Sequence, residues 1–69
     1  MTSNVYSITE IVGTSTQGTD DAISNAVREA SKTLRNLDWF EVQSVRGHID
    51  NDAIAHWQVT VKIGFRHEG

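Results

Sequence analysis

From Ile54 to Arg66 the sequence alternates without a break. Ala55, Trp57, Val59, Val61, Ile63 and Phe65 share one parity; Ile54, His56, Gln58, Thr60, Lys62, Gly64 and Arg66 share the other. A period of two means a β-strand with two unlike faces, one apolar and one polar but strongly patterned. That is demanding in a chain of 69 residues, because so short a chain buries only about 60% of its unfolded surface. The usual reinforcements are disulfides, a structural metal or oligomerisation. The absence of Cys removes disulfides and thiolate zinc sites. His48, His56 and His67 show no ligand spacing, so no metal site is expected. Assembly with further copies of the same chain remains.

The other elements follow from local pattern. Residues 5–12, Val-Tyr-Ser-Ile-Thr-Glu-Ile-Val, are rich in β-branched and aromatic types and predict a first strand ending at Gly13. Gly13–Gly18 reads as a loop of small polar residues, with Thr19 as N-cap and Asp20 and Asp21 in a first helical turn. Ile23, Ala26, Val27, Ala30, Leu34 and Leu37 recur every three or four residues, the pattern of one helical face, and predict a helix over 20–36. Trp39–Ile49 predicts a second strand whose parity slips: Phe40 and Val42 are apolar at even positions, Val45 and Ile49 at odd ones. A slip of one residue exchanges the faces, so a bulge is expected near Gln43 or Ser44. Asp50-Asn51-Asp52 supplies turn residues that tolerate left-handed backbone. The fold class is therefore α+β, in the order β-α-β-β. One helix packs on a three-stranded antiparallel sheet, within a single domain spanning 1–69, and strands two and three form a long hairpin. One helix covers one sheet face, and symmetric copies are the simplest cover for the rest.

Composition closes several function classes. No stretch approaches the roughly 18 consecutive apolar residues of a membrane span. Met1-Thr2-Ser3-Asn4 does not begin a secretory leader, and a cytoplasmic protein is expected. A net charge of −3 and a pI near 5.4 argue against a nucleic-acid partner, which selects a basic face.

Few residues offer chemistry. Trp57 shares parity with Val59, Val61, Ile63 and Phe65 and is expected in the core. Trp39 follows the helix and precedes Phe40; if Phe40 goes to the apolar side with Val42, Trp39 projects to the polar side. An indole there is either an interface anchor or a stacking platform for a flat ligand. Gln58 lies on the same polar side, and its amide is either solvated at an interface or reads the C=O and N–H edge of a heterocycle. Arg46 and Arg66 are either forks for a phosphate or partners of Glu41 or Glu10 in salt bridges between subunits. No His or Ser sits in a catalytic pattern, so no enzyme activity is expected. The Gly13–Gly18 loop is similar to a phosphate-binding turn but lacks both G-x-G-x-x-G and the Walker lysine.

Several segments together resemble one family. Glu10-Ile-Val-Gly-Thr-Ser15, Leu37-Asp-Trp-Phe-Glu-Val42, Arg46-Gly47 and Trp57-Gln-Val-Thr-Val-Lys-Ile-Gly-Phe-Arg66 resemble the bacterial branch of the dodecins, small flavin-binding proteins. With the β-α-β-β order the resemblance covers essentially the whole chain. It implies a hollow homododecamer with helices outside and sheets facing inward. It implies flavins bound in pairs at twofold subunit contacts, FMN being favoured in bacterial members and riboflavin or FAD also possible, and it implies coenzyme A as a further ligand in some members. By motif position the stacking tryptophan is Trp39, the glutamine at the flavin's pyrimidine edge is Gln58, and Arg46 and Arg66 match arginines near the pocket and subunit contacts. Position 57, often Tyr or Phe in that family, is Trp here. The implied function is storage and photoprotection of flavin, with no turnover. The alternatives are a flavin-dependent redox enzyme, or a coenzyme A-binding or structural shell in which flavin is secondary.

Overall fold

A computed structural model of the chain describes residues 4–67. The ends of the domain expected over 1–69, and Met1–Ser3 of the leader reading, lie outside the described residues. The elements are β1 (Tyr6–Ser15), α1 (Thr19–Ala30), β2 (Leu37–Asp50) and β3 (Ala53–Arg66). They form a three-stranded antiparallel sheet in the order β1-β3-β2, which is the β-α-β-β architecture read from the sequence. The strand with the strictest alternation, β3, is the central one, where both edges are paired.

β1 runs three residues past its expected end, through Gly13 to Ser15. Gly13 is a point of close approach and not a strand terminator: a Cβ there would lie 2.0 Å from the Ala22 carbonyl oxygen. The loop contracts accordingly. Thr19 is already helical, Gly18 occupies the N-cap, and no side chain caps the helix directly. Ser15 supplies the local order. Its hydroxyl donates to Asp21 at 2.7 Å and accepts from the backbone N–H of Gln17 at 2.8 Å. Asn25 adds a bond from its amide to the Thr14 carbonyl at 2.9 Å.

The helix ends at Ala30, short of the predicted Asn36. The N–H groups of Lys32 and Thr33 bond three residues back, to Glu29 and Ala30, which tightens the last turn. The Ser31 hydroxyl donates to the Arg28 carbonyl at 2.7 Å. Asn36 adopts left-handed backbone with φ 63° and exchanges bonds with Arg66, whose N–H donates to the Asn36 carbonyl at 3.0 Å. A straight continuation would carry the chain away from the sheet edge that β2 must reach.

α1 packs over β1 and β3. Its buried stripe is Ala22, Ala26 and Ala30, set against Val59, Val61 and Ile63. Alanine every fourth residue lets the helix axis sit close to the sheet, which is also why Gly13 must be glycine. The larger Ile23, Val27, Leu34 and Leu37 of the predicted face are only partly buried around that core. The core is therefore narrower than the apolar pattern of the helix, and the surplus faces β2.

The hairpin turn is tight: Asn51 and Asp52, with φ 51° and 63°, join Asp50 to Ala53 as a two-residue turn with both central residues left-handed. The sheet register between β2 and β3 shifts three times. The shift between Val42 and Ser44, with Gln43 as the extra residue, is the expected bulge, and it places Val45 on the face of Phe40 and Val42. The other two, at Asp38 in β2 and Ala55 in β3, were not legible in the parity. Trp57 departs from expectation: it is only half-buried and stands outside the core cluster. Its strand partners are Ser15 and Gly47, at the end of the sheet beyond the Val59–Ile63 core.

The result is elongated. The radius of gyration is 14.4 Å, against about 11 Å for a compact domain of this length, and the extents are 57 × 20 × 13 Å.

Candidate functional site

The antiparallel register assigns each side chain to a face. On the side away from the helix stand Tyr6, Ile8, Glu10, Val12 and Thr14 of β1, every one exposed. Arg66, Gly64, Lys62, Thr60 and Gln58 of β3 lie opposite them. From β2 come Trp39, Glu41, Ser44, Arg46 and His48. Among the described residues nothing forms a covering layer over this face. Its apolar members are large and unsheltered: Ile8 is 58% exposed and Trp39 41%.

Trp39 is where the sequence places it, on the polar side, and the bulge at Asp38 is the cause. Leu37 pairs with Phe65 on the helix side, and one inserted residue turns Trp39 over to pair with Gly64 on the open side. Gly64 then acts as the seat of the indole. A Cβ at Gly64 would fall 2.3 Å from Cε2 and Cζ2 of Trp39, so the six-membered ring of the indole lies directly on the glycine backbone. Gly64 is the one buried residue on this face of β3. From β1, Tyr6 meets the indole edge-to-face, with ring centroids 5.0 Å apart and planes at 68°. One face of the indole is thus occupied by backbone and one flank by a phenol, leaving a single broad aromatic surface directed away from the sheet.

Neither Tyr6 nor Gly64 was singled out from sequence. Gly64 carried a usable signal, since a glycine inside a strongly alternating strand marks close approach by another group. Tyr6 carried none beyond its strand propensity, because its neighbour is set by cross-sheet register.

The four predicted site residues fall into two pairs. Arg66 is the strand partner of Tyr6, at the Trp39 end. Arg46 and Gln58 are direct cross-strand partners at the other end. Gln58 lies six residues along β3 from Gly64, a distance of about 20 Å at the rise of a β-strand. Trp39 and Gln58 of one chain therefore do not meet around one small ring system; a ligand that touched both would lie between two copies. Next to Arg46 and Gln58, the rings of His48 and His56 stack across the strands with centroids 5.5 Å apart.

Neither Arg46 nor Arg66 forms a salt bridge with Glu41 or Glu10 within the chain. Among the described residues the ion pair present is Lys32 with Glu29, at 3.1 Å on the surface, worth little by itself. No cluster of three or more His, Cys, Asp or Glu suited to a metal occurs among the described residues, and no helix there is long and apolar enough to cross a membrane.

On the helix side, β2 is equally unfinished. Phe40 is 50% exposed and Val45 53%. Phe40 closes one wall of a groove whose other wall is Asp20, Ile23, Ser24, Val27 and Arg28 of α1. This is where the surplus apolar width of the helix faces.

Comparison with known proteins points to one family. The Dodecin family model matches residues 5–68. A curated dodecin of Thermus thermophilus is 48% identical over 64 residues, covering 93% of each chain. Among solved structures, dodecin from Streptomyces davaonensis is 54% identical with a TM-score of 0.94, covering 99% of this chain and 100% of its own. The dodecin of Streptomyces coelicolor is 56% identical with a TM-score of 0.94, covering 100% and 99%.

Proposed function

The chain belongs to the dodecin family, and from that premise we propose that it is a flavin-binding storage and photoprotection protein, with FMN as its ligand and no turnover. The observation that carries this reading is the seating of Trp39. An indole fixed flat on Gly64, with its outer face free on an uncovered sheet surface, is a platform for a planar heterocycle. Stacking on such a ring contributes about 1–3 kcal/mol per contact, by analogy with bases on aromatic side chains.

The residues present fit a flavin. The Trp39 indole offers an electron-rich face, the Gln58 amide offers a donor and an acceptor for a pyrimidine edge, and Arg46 and Arg66 are forks suited to a phosphate. Because Trp39 and Gln58 of one chain stand about 20 Å apart along the strand, the pocket is completed by a second copy. The uncovered β2 surface and the open sheet face support assembly into a homododecamer, with paired flavins between two Trp39 side chains at a twofold contact. When bound, the isoalloxazine supplies an excited state that accepts an electron readily. Trp39 would hold the ring stacked on its indole, where it would lend that excited state an electron and take it back, so that both return to the ground state before oxygen is activated. Two indoles closing both ends of the stack leave neither ring face for a substrate, which is why the reading is storage and not oxidoreduction.

Titration of FMN with the protein tests this. Flavin emission should be quenched strongly and saturably at one FMN per chain, and Trp39→Leu should abolish most of the quenching. Persistent quenching in that variant removes Trp39 from the site. A dialysed protein that stays colourless with added FMN but retains coenzyme A would replace the flavin reading with the coenzyme A shell.

A further inference from the structure

The indole of Trp39 meets Gly64 and Tyr6 on the open face, and a stacking platform explains only the first, the glycine beneath it. The second is Tyr6. We infer that Tyr6 is the positioning residue of the flavin site, holding the Trp39 ring flat on Gly64 so that its outer face is presented in one orientation before ligand arrives. The inference rests on the flavin reading for its consequence, and on the geometry of this chain for its cause.

Trp39 is 41% exposed, and a half-exposed indole on a strand has several staggered rotamers open to it. Gly64 removes a clash but supplies no side chain to restrain the ring. Ile8 stands directly across Gly64 in the strand register but offers only an aliphatic side chain, itself 58% exposed; the aromatic neighbour, one row further along β1, is Tyr6, with its centroid 5.0 Å away and its plane at 68°. That distance and angle fall within the edge-to-face range in which the positive rim of one ring meets the negative face of the other. Tyr6 belongs to β1 and Trp39 to β2, so the pair bridges the two edge strands diagonally across the central one, Tyr6 level with Arg66 and Trp39 with Gly64. A platform fixed in advance loses less conformational entropy when a ligand stacks on it. The hydroxyl of Tyr6 has no role in this account; the ring does.

The prediction is specific to shape. Tyr6→Phe keeps the edge-to-face contact and should bind FMN as the parent does. Tyr6→Leu keeps apolar bulk without the ring, and should weaken FMN binding by about three- to tenfold, the range of aromatic pair energies converted to an equilibrium constant. A readout without flavin isolates the cause. In a Trp57→Phe background, which leaves Trp39 as the sole tryptophan, near-ultraviolet circular dichroism should show a resolved indole band. Tyr6→Leu should collapse that band and Tyr6→Phe restore it, with native mass unchanged. An undiminished indole band and unchanged FMN affinity in Tyr6→Leu would overturn the inference. Should the parent fail to bind FMN, the flavin reading falls by itself, while the ligand-free spectra still decide whether Tyr6 orders the indole.

Discussion

The two faces of this sheet are built from the same three strands and meet opposite fates. On the helix side, Val59, Val61 and Ile63 are sealed beneath an alanine stripe, with Gly13 admitting the helix at backbone contact. On the other side every β1 residue is exposed, and burial on β3 occurs at Gly64, where Trp39 lies over it. Both faces use a glycine to bring a neighbour down onto the sheet. At Gly13 the neighbour is a helix and the product is stability; at Gly64 it is an indole and the product is a surface. The chain thus concentrates its limited apolar content in one sealed layer and leaves the second face open.

This contrast can be broken at several points. Gly13→Val should have the largest effect, because its side chain meets the Ala22 carbonyl and overpacking of this kind costs about 3 kcal/mol or more; thermal unfolding should shift down sharply and assembly fail. Trp39→Leu should leave the fold and its melting temperature nearly intact while weakening FMN binding by about ten- to a hundredfold, the value of a lost stacking contact, read by fluorescence titration. Gly64→Ala separates the two glycines. It should displace the indole and reduce FMN affinity by about tenfold, with far-ultraviolet circular dichroism unchanged, since a flexible aromatic ring yields where a helix backbone does not. Ser15→Ala is the smallest of the four. It removes the hydroxyl bonded to Asp21 and Gln17 and should lower stability by about 1 kcal/mol without touching flavin binding.

The order and type of the elements were legible because periodicity is a direct image of burial. β3 is readable residue by residue over Val59–Ile63, and the bulge at Gln43 showed itself as a parity slip between Val42 and Val45. What escaped depends on pairing across the sheet. The bulge at Asp38 is invisible because Leu37 and Trp39 are both apolar and share parity, although they end on opposite faces. The helix was read too long because Leu34 and Leu37 continue its apolar spacing, while Asn36, which turns the chain, is one of the few residue types that tolerate left-handed backbone. Parity puts Trp57 on the apolar face but does not say how far along the strand the sealed core extends; that core ends at Val59. Parity exposes Trp39 and Gln58 as polar-side candidates and the family resemblance assigns their roles; the seat and flank of the indole, Gly64 and Tyr6, become visible only with the register.

The central claim is that the open face becomes a flavin site by closure against further copies. Native mass spectrometry with and without FMN tests it most directly. The account predicts an assembly of twelve times the 7.7 kDa chain mass, taking up one FMN per chain, with FMN uptake weakened about ten- to a hundredfold in Trp39→Leu while the assembly persists. A 7.7 kDa monomer, or an assembly whose FMN uptake is indifferent to Trp39, would contradict it.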